Sequence, residues 1–377
     1  MSISGGAIKR SLAFGLFDAG ETALGAILIS TLFPLYISNH IPTKVYTLLY
    51  GLSMVVSFVL ALLLAKVADE KSIRKRLFST FGILTSLFCA LIALSLKNPY
   101  LGLLVFLLML IFKQQSLVFY ASLLGGFEKR GLTSGIGVSM GYLGASLSLV
   151  FFAPRLELPS GALFISILFL ALLLPAVMIL DEPKKLNQEI SILKVLKSKK
   201  FSILLLSCLL VMEVASTMSA IMGIYLKEVY NLEKKEIYLT IAFSAFGGVF
   251  SGPIFGYLTD KLGPSRIFPL SFILWACFLV LLFLTPKELI RYLGLFAGLC
   301  LAHLWTSVRA LIIHNSEGDF ATKMAMLSLS ERLSMSIGPI IWSLLLTLTL
   351  DNYRLSALLM VIFPALGGFF YLISRRV

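Results

Sequence analysis

Gly256-Tyr257-Leu258-Thr259-Asp260-Lys261-Leu262-Gly263, with Arg266 three residues on, follows a long apolar block in the second half of the chain. A weaker copy lies in the first half, where Ala65-Lys66-Val67-Ala68-Asp69 also ends an apolar block and is followed by Arg74-Lys75-Arg76. Asp69 and Asp260 are 191 residues apart in a chain of 377, so the two copies mark equivalent points of two halves. Self-similarity at a fixed offset has to be read before any single element, because it sets the architecture.

Outward from these stretches the sequence is dominated by apolar blocks of about twenty residues or more, the length a helix needs to cross a bilayer. Twelve are counted, over 12–37, 45–66, 77–96, 100–124, 131–152, 160–180, 201–226, 237–258, 267–285, 289–313, 322–348 and 353–374. The composition agrees: 58% of residues are hydrophobic and 14% charged, against roughly 45–50% and about 25% in soluble domains. Between the sixth and seventh blocks lies the longest polar stretch, 181–200, with Pro183, six Lys and three acids, which reads as a linker. The chain is therefore expected to be an all-α membrane protein of twelve spans: a six-helix bundle over 1–180, a cytoplasmic linker over 181–200 and a second six-helix bundle over 201–377. Gly135, Gly137, Gly141 and Gly144 mark a helix that packs closely, since small residues let backbones approach where lipid supplies no hydrophobic drive.

The formal net charge of +13 does not indicate nucleic acid, because the basic residues sit in short loops without interleaved aromatics. With both termini on one side, that side collects 20 Lys and Arg against nine on the other. By the positive-inside rule both termini are expected in the cytoplasm. Only eight neutral residues precede Lys9-Arg10, and the first span is too long for a cleaved signal core, so it is expected to stay as an anchor. Cys89, Cys208, Cys277 and Cys300 are isolated, and no metal or disulfide framework is expected. There is no HExxH, GxSxG or nucleotide-binding Gly-Lys-Ser/Thr loop, which argues against an enzyme or an ATP-driven pump. No cofactor is expected.

A parallel repeat of six spans, linker and six spans is the layout of facilitator transporters. The two quoted loops resemble the cytoplasmic signature of the major facilitator superfamily, a Gly-x-x-x-Asp run followed by Gly and a basic residue; the first copy has Ala65 in place of the opening Gly. The resemblance implies state-dependent gating by Asp69 with Arg74 and by Asp260 with Arg266. The bland reading is charged loops that obey the positive-inside rule.

A closer resemblance is to the vacuole-effluxer branch and its prokaryotic relatives. It is carried by Phe17-Asp18-Ala19-Gly20-Glu21-Thr22-Ala23 with Leu32-Phe33-Pro34-Leu35-Tyr36, by Phe119-Tyr120-Ala121-Ser122-Leu123-Leu124, and by Ser134-Gly135-x-Gly137 with Gly141-Tyr142-Leu143-Gly144. In the second half it rests on Ser307-x-Arg309 and the run to Gly338-Pro339. Glu21 stands where that branch has Asn, and Ala19 where it has a second aromatic. The branch implies amino-acid export in eukaryotes; here a prokaryotic plasma membrane is the expected location.

Charges inside spans are costly, at least ~2.5–3.5 kcal/mol on insertion scales, so they normally face a cavity or a partner. Asp18 and Glu21 share one helix face. Either they share a proton, because two such close carboxylates ionise together poorly, or they neutralise basic partners, for which Lys113 and Arg309 are available. Glu213 is the repeat counterpart of the pair. The facilitator resemblance would place Asp18, Glu21, Lys113, Glu213 and Arg309 around one central site, with Gln114 nearby and Tyr142 and Trp305 as its aromatic walls. A set with both signs suits a zwitterion such as an amino acid; a structural reading makes these groups buried ion pairs. Of adjacent Glu331 and Arg332, Arg332 is the expected site residue, because it matches a basic position of the related family.

His303 and His314 are too far apart to share a metal, and a lone membrane His is more often a hydrogen-bonded packer. Tyr36, Phe119, Tyr120 and Tyr225 fit interfacial belts as well as cavities. Pro34, Pro154, Pro175, Pro253, Pro339 and Pro364 shape or stop helices. The function expected is alternating-access transport of a small polar solute, amino acids first, either proton-coupled or facilitative. Drug or sugar transport, and a non-transporting receptor or scaffold, are the alternatives. The partners expected are a small-molecule substrate, H+ and the lipid bilayer, with no nucleic acid and a monomeric chain.

Overall fold

The computed structural model describes residues 5–37, 39–152, 155–183, 197–317 and 319–376. The described residues form twelve long helical spans: α1 (Gly6–Ile37), α2 (Thr43–Lys71), α3 (Arg74–Ser95), α4 (Pro99–Gly126), α5 (Arg130–Phe152), α6 (Ser160–Ile179), α7 (Lys199–Tyr230), α8 (Lys234–Leu262), α9 (Pro264–Leu284), α10 (Lys287–His314), α11 (Phe320–Leu348) and α12 (Tyr353–Ser374). Eleven of them are long and apolar enough by composition to cross a membrane. In α11 the 29-residue length suffices, but Lys323, Glu331, Arg332 and five serines dilute the apolar run. Most of the predicted linker, 184–196, and Pro154 lie outside the described residues.

Local chemistry sets several helix ends. Asn98 caps α4, accepting from the Tyr100 and Leu101 amides, and Pro99 occupies the first turn, where its missing N–H costs nothing. Glu233 and Glu236 form a reciprocal capping box at the start of α8. Between α8 and α9, Gly263 adopts a φ of 90° that an L-residue disfavours, and Pro264 then opens the next helix. Wide π-helical turns interrupt α1 over Gly25–Leu32 and α5 over Ser148–Phe152. Asp69 and Asp260 occupy the last turns of α2 and α8.

Within the first half α1 packs on α5 and α6, and α3 on α4 and α6; within the second, α8 packs on α10, and α7 on α11 and α12. The halves meet chiefly where α5 lies along α8 and α10, and where α11 crosses α2 and α4. The α5 glycines serve two faces. Gly131 and Gly135 lie against Gly256 and Gly252 of α8, so that a Cβ at Gly135 would run into the Gly252 carbonyl. On another face a Cβ at Gly144 would meet the Ala19 backbone of α1, and one at Gly137 would meet the Asp18 carboxylate. Backbone-to-backbone approach of this kind is how helices associate in lipid. Large apolar side chains such as Leu94, Phe250 and Ile340 remain on the outside, suited to acyl chains.

Candidate functional site: a charged cavity between the halves

A cavity of about 330 Å³ lies between the halves, walled by α1, α4, α5, α10 and α11. From α1 it receives Asp18, Glu21 and Thr22; from α5, Tyr142; from α10, Trp305 and Arg309; from α11, Ser328 and Glu331. Asp18 Oδ2 accepts from Arg309 Nη1 at 3.0 Å, an ion pair that joins the two halves, with Asp18 buried and Arg309 partly so. Glu21 pairs with Lys113 of α4 inside the first half. Of the alternatives for the α1 carboxylates, the geometry gives each its own cation. Asp18 fits because Gly137 opposite it has no side chain. Thr22 fixes the same helix by donating to the Gly141 carbonyl at 2.9 Å.

Other sequence candidates go elsewhere. Arg332 turns to the other half, donating to the Met54 carbonyl of α2 at 3.1 Å and to Gln114 Oε1 of α4 at 3.3 Å. Its neighbour Glu331 lines the cavity, as adjacent residues on a helix point apart; the expectation favoured the wrong member for the cavity wall. The signal for Glu331 was available in its one-turn phase with Leu327 and Ser328, which also line the cavity. Glu213 is buried between α7 and α11 and does not line the cavity. His303 is a packed residue, within 2.9 Å of Ser271 and edge-on to Phe255, and His314 is exposed at the end of α10. Tyr36, Tyr120 and Tyr225 donate to the backbone carbonyls of Leu96, Phe14 and Leu282, and Phe119 stacks on Phe81. Among the described residues no group of three His, Cys, Asp or Glu converges as a metal site would need.

Two carboxylates close one end of the cleft, related by the repeat. Asp69 at the end of α2 accepts from the amides of Ala321 and Thr322 at 3.0 and 2.8 Å and from the Thr322 hydroxyl at 2.8 Å. Asp260 at the end of α8 accepts from the amides of Gly131 and Leu132 at 2.7 and 2.8 Å. Each acid of one half thus caps the fifth helix of the other, where free amides and the helix dipole favour an anion. The two latches differ in depth. Asp69 is buried and also holds Arg74 Nε at 2.7 Å, and Arg74 extends to Glu182 at 2.9 Å. Asp260 is exposed, and Arg266 is not among its hydrogen-bond or ion-pair partners. Glu182, which also accepts from the Lys75 amide, was not singled out from sequence because it sits 108 residues from Arg74.

Comparison with known proteins places this geometry. Residues 203–377 match the model of the Major Facilitator Superfamily, and residues 37–131 that of the vacuole effluxer Atg22-like family. An uncharacterized protein of Aquifex aeolicus strain VF5 is 48% identical over 97% of both chains. Solved structures with the same fold include the human organic anion transporter MFSD10, at a TM-score of 0.80 and 13% identity over 98% of this chain and 100% of that one. The transporter FucP in its outward conformation aligns at 0.78 and 12% over 99% of each chain. A bacterial homologue of the iron transporter ferroportin, outward-facing, aligns at 0.74 and 17% over 99% of this chain and 100% of that one. With two six-helix halves around a charged cavity, latched by repeated carboxylates and matched by these profiles, the chain belongs to the major facilitator superfamily and is a membrane transporter rather than an enzyme.

Proposed function

We propose that the protein moves a small zwitterionic solute, an amino acid in the first instance, by alternating access, and that movement is coupled to protons. The observation that carries the reading is the Asp18–Arg309 pair, which spans the halves inside the cavity. A zwitterion offers a carboxylate to Arg309 and an ammonium to Asp18, and so replaces the pair's attraction with two contacts of the same kind. Its arrival changes what ties the halves together, which is the differential interaction that a conformational change needs. The cavity's three carboxylates, Asp18, Glu21 and Glu331, stand against Lys113, Arg309 and Arg332, so a net-neutral solute leaves that balance undisturbed.

The latched end carries the basic loops, which by the positive-inside rule lie in the cytoplasm. The arrangement is then closed inward, with release of the Asp69 and Asp260 caps as the step that opens it. A prokaryotic plasma membrane, both termini inside and a monomeric chain complete the reading. The test is a thermal-shift screen of purified protein against amino acids, peptides, sugars and nucleosides. A ligand at about 100 times its Kd stabilises by about 2.7 kcal/mol. Stabilisation by a sugar or nucleoside, with none by any amino acid, rejects the zwitterion reading.

A further inference from the structure

Every carboxylate that lines the cavity has cationic groups near it, and the two on α1 are ion-paired. Glu213 is different. It sits halfway along α7, fourteen residues from Lys199 and fourteen from Lys227, about 21 Å of helix either way. It is 3% exposed, and among the described residues its Oε1 and the hydroxyl of Thr217, one turn on, are buried with no hydrogen-bond partner. Both oxygens press on one point of α11. A Cβ at Gly338 would lie 2.9 Å from Glu213 Oε1 and would collide with Thr217 Oγ1. The α7–α11 contact therefore exists because residue 338 has no side chain.

Among the described residues, the helices packed around α7 bring no cation to this point. On α11, Glu331 and Arg332 lie about two turns before Gly338, and Arg332 is committed to Met54 and Gln114. On α12, Tyr371 donates to the Ser265 carbonyl, Arg354 reaches the Phe283 carbonyl, and Arg375 and Arg376 follow the helix end. The charged groups of α8 and α9, namely Lys234, Lys235, Glu236, Asp260, Lys261 and Arg266, occupy the helix ends. Ser216, directly before Thr217, and Ser334, one turn before Gly338 on α11, have hydroxyls 3.1 Å apart.

We propose that Glu213 and Thr217 form a proton-binding site, separate from the central cavity, whose occupancy sets how closely α11 packs on α7. This deepens the proton-coupled reading above by naming the group that takes the proton. A bare carboxylate without a cation is costly inside the membrane, whereas its protonated form tolerates the dry contact with Gly338. Loss of the proton demands water at Oε1 as well, and there the contact with Gly338 leaves no room for it. So α11 must draw back. α11 also carries Glu331 in the cavity and, at its first turn, the amides held by Asp69. One titration is thereby connected to the solute site and to the latch. The coupling sign follows: protonation favours the packed, latched arrangement, and deprotonation favours its release.

The test needs no solute. Spin labels are placed at exposed Ile224 of α7 and Leu348 of α11, as Ile224→Cys and Leu348→Cys in a Cys277→Ser background, in full-length protein in lipid nanodiscs. The wild-type pair is expected to show a short distance at acid pH and to gain a longer one as pH rises, with the slope of one proton. Glu213→Gln should lose the shift and stay short at every pH. Gly338→Ala should show the long distance even in acid. Infrared difference spectra of the unmutated protein should lose one protonated-carboxyl band over the same range, and Glu21→Gln should leave that band in place. A pH shift that survives in Glu213→Gln, or a wild type whose distance ignores pH, overturns the proposal. Failure of every amino acid to stabilise the protein, with the Glu213-dependent shift intact, would reject the solute reading alone.

Discussion

Asp69→Asn tests whether burial or motif quality decides the strength of a latch. The substitution keeps the side chain's shape and removes its charge. Asp69 is buried, accepts from two amides and one hydroxyl at 2.8–3.0 Å, and meets Arg74 Nε at 2.7 Å. Breaking a buried pair from one side costs about 3–5 kcal/mol. The lower end applies, because Arg74 keeps Glu182 and the amide oxygen can still accept one of the helix N–H groups. Asp260→Asn removes the charge and one of two amide contacts from an exposed side chain, worth about 1 kcal/mol. The difference of about 2 kcal/mol is roughly thirtyfold in the population of the unlatched form. Spin labels at Arg76 and Leu262, exposed on opposite halves at the latched end, read that population as a longer distance. Asp69→Asn should open the pair far more than Asp260→Asn. Equal effects, or a larger one at Asp260, would refute the argument, since Asp260 sits in the more complete copy of the motif.

Further outcomes follow from the cavity and the helix contacts. Arg309→Ala should abolish stabilisation by any amino acid while leaving a monodisperse protein; retained binding in a thermal-shift titration would make the Asp18–Arg309 pair a purely structural strut. Glu21→Gln should lower stability by about 3–5 kcal/mol because Lys113 is left buried and unpaired. Lys113→Gln added to it should restore most of the loss, and a double-mutant cycle with no coupling energy would show that the pair does not act as a unit. Gly135→Ala should lower the melting temperature and weaken the contact between α5 and α8, because its Cβ meets the Gly252 carbonyl. Gly223→Ala, where a Cβ meets open space, should be neutral or stabilising by up to about 1 kcal/mol. Equal losses at both glycines would count against close backbone packing as the reason for the α5 glycines.

The solvent, the succession of long helices and the two-half plan were legible in the sequence. Those depend on properties a chain carries locally: apolar runs of bilayer length, a polar stretch between halves, and the 191-residue recurrence of an acid at a helix end. It also brought forward Asp18, Glu21, Lys113 and Arg309, since ionisable groups within apolar runs are conspicuous wherever they point. It left open which of them face each other, because pairing depends on helix rotation and on contacts as remote as the 291 residues between Asp18 and Arg309. The choice between Glu331 and Arg332 turned on the same rotation, and it sent Arg332 across to α2 and α4. Asp69 looked the poorer latch by motif and is the better one by burial, because its third partner, Arg74, is held in turn by Glu182 across 108 residues. Glu213 looked like one more member of the central set. Only the packing of α11, with a glycine at 338, left its Oε1 without a partner among the described residues, since being unpaired is a property of everything around a group and of nothing in its own sequence.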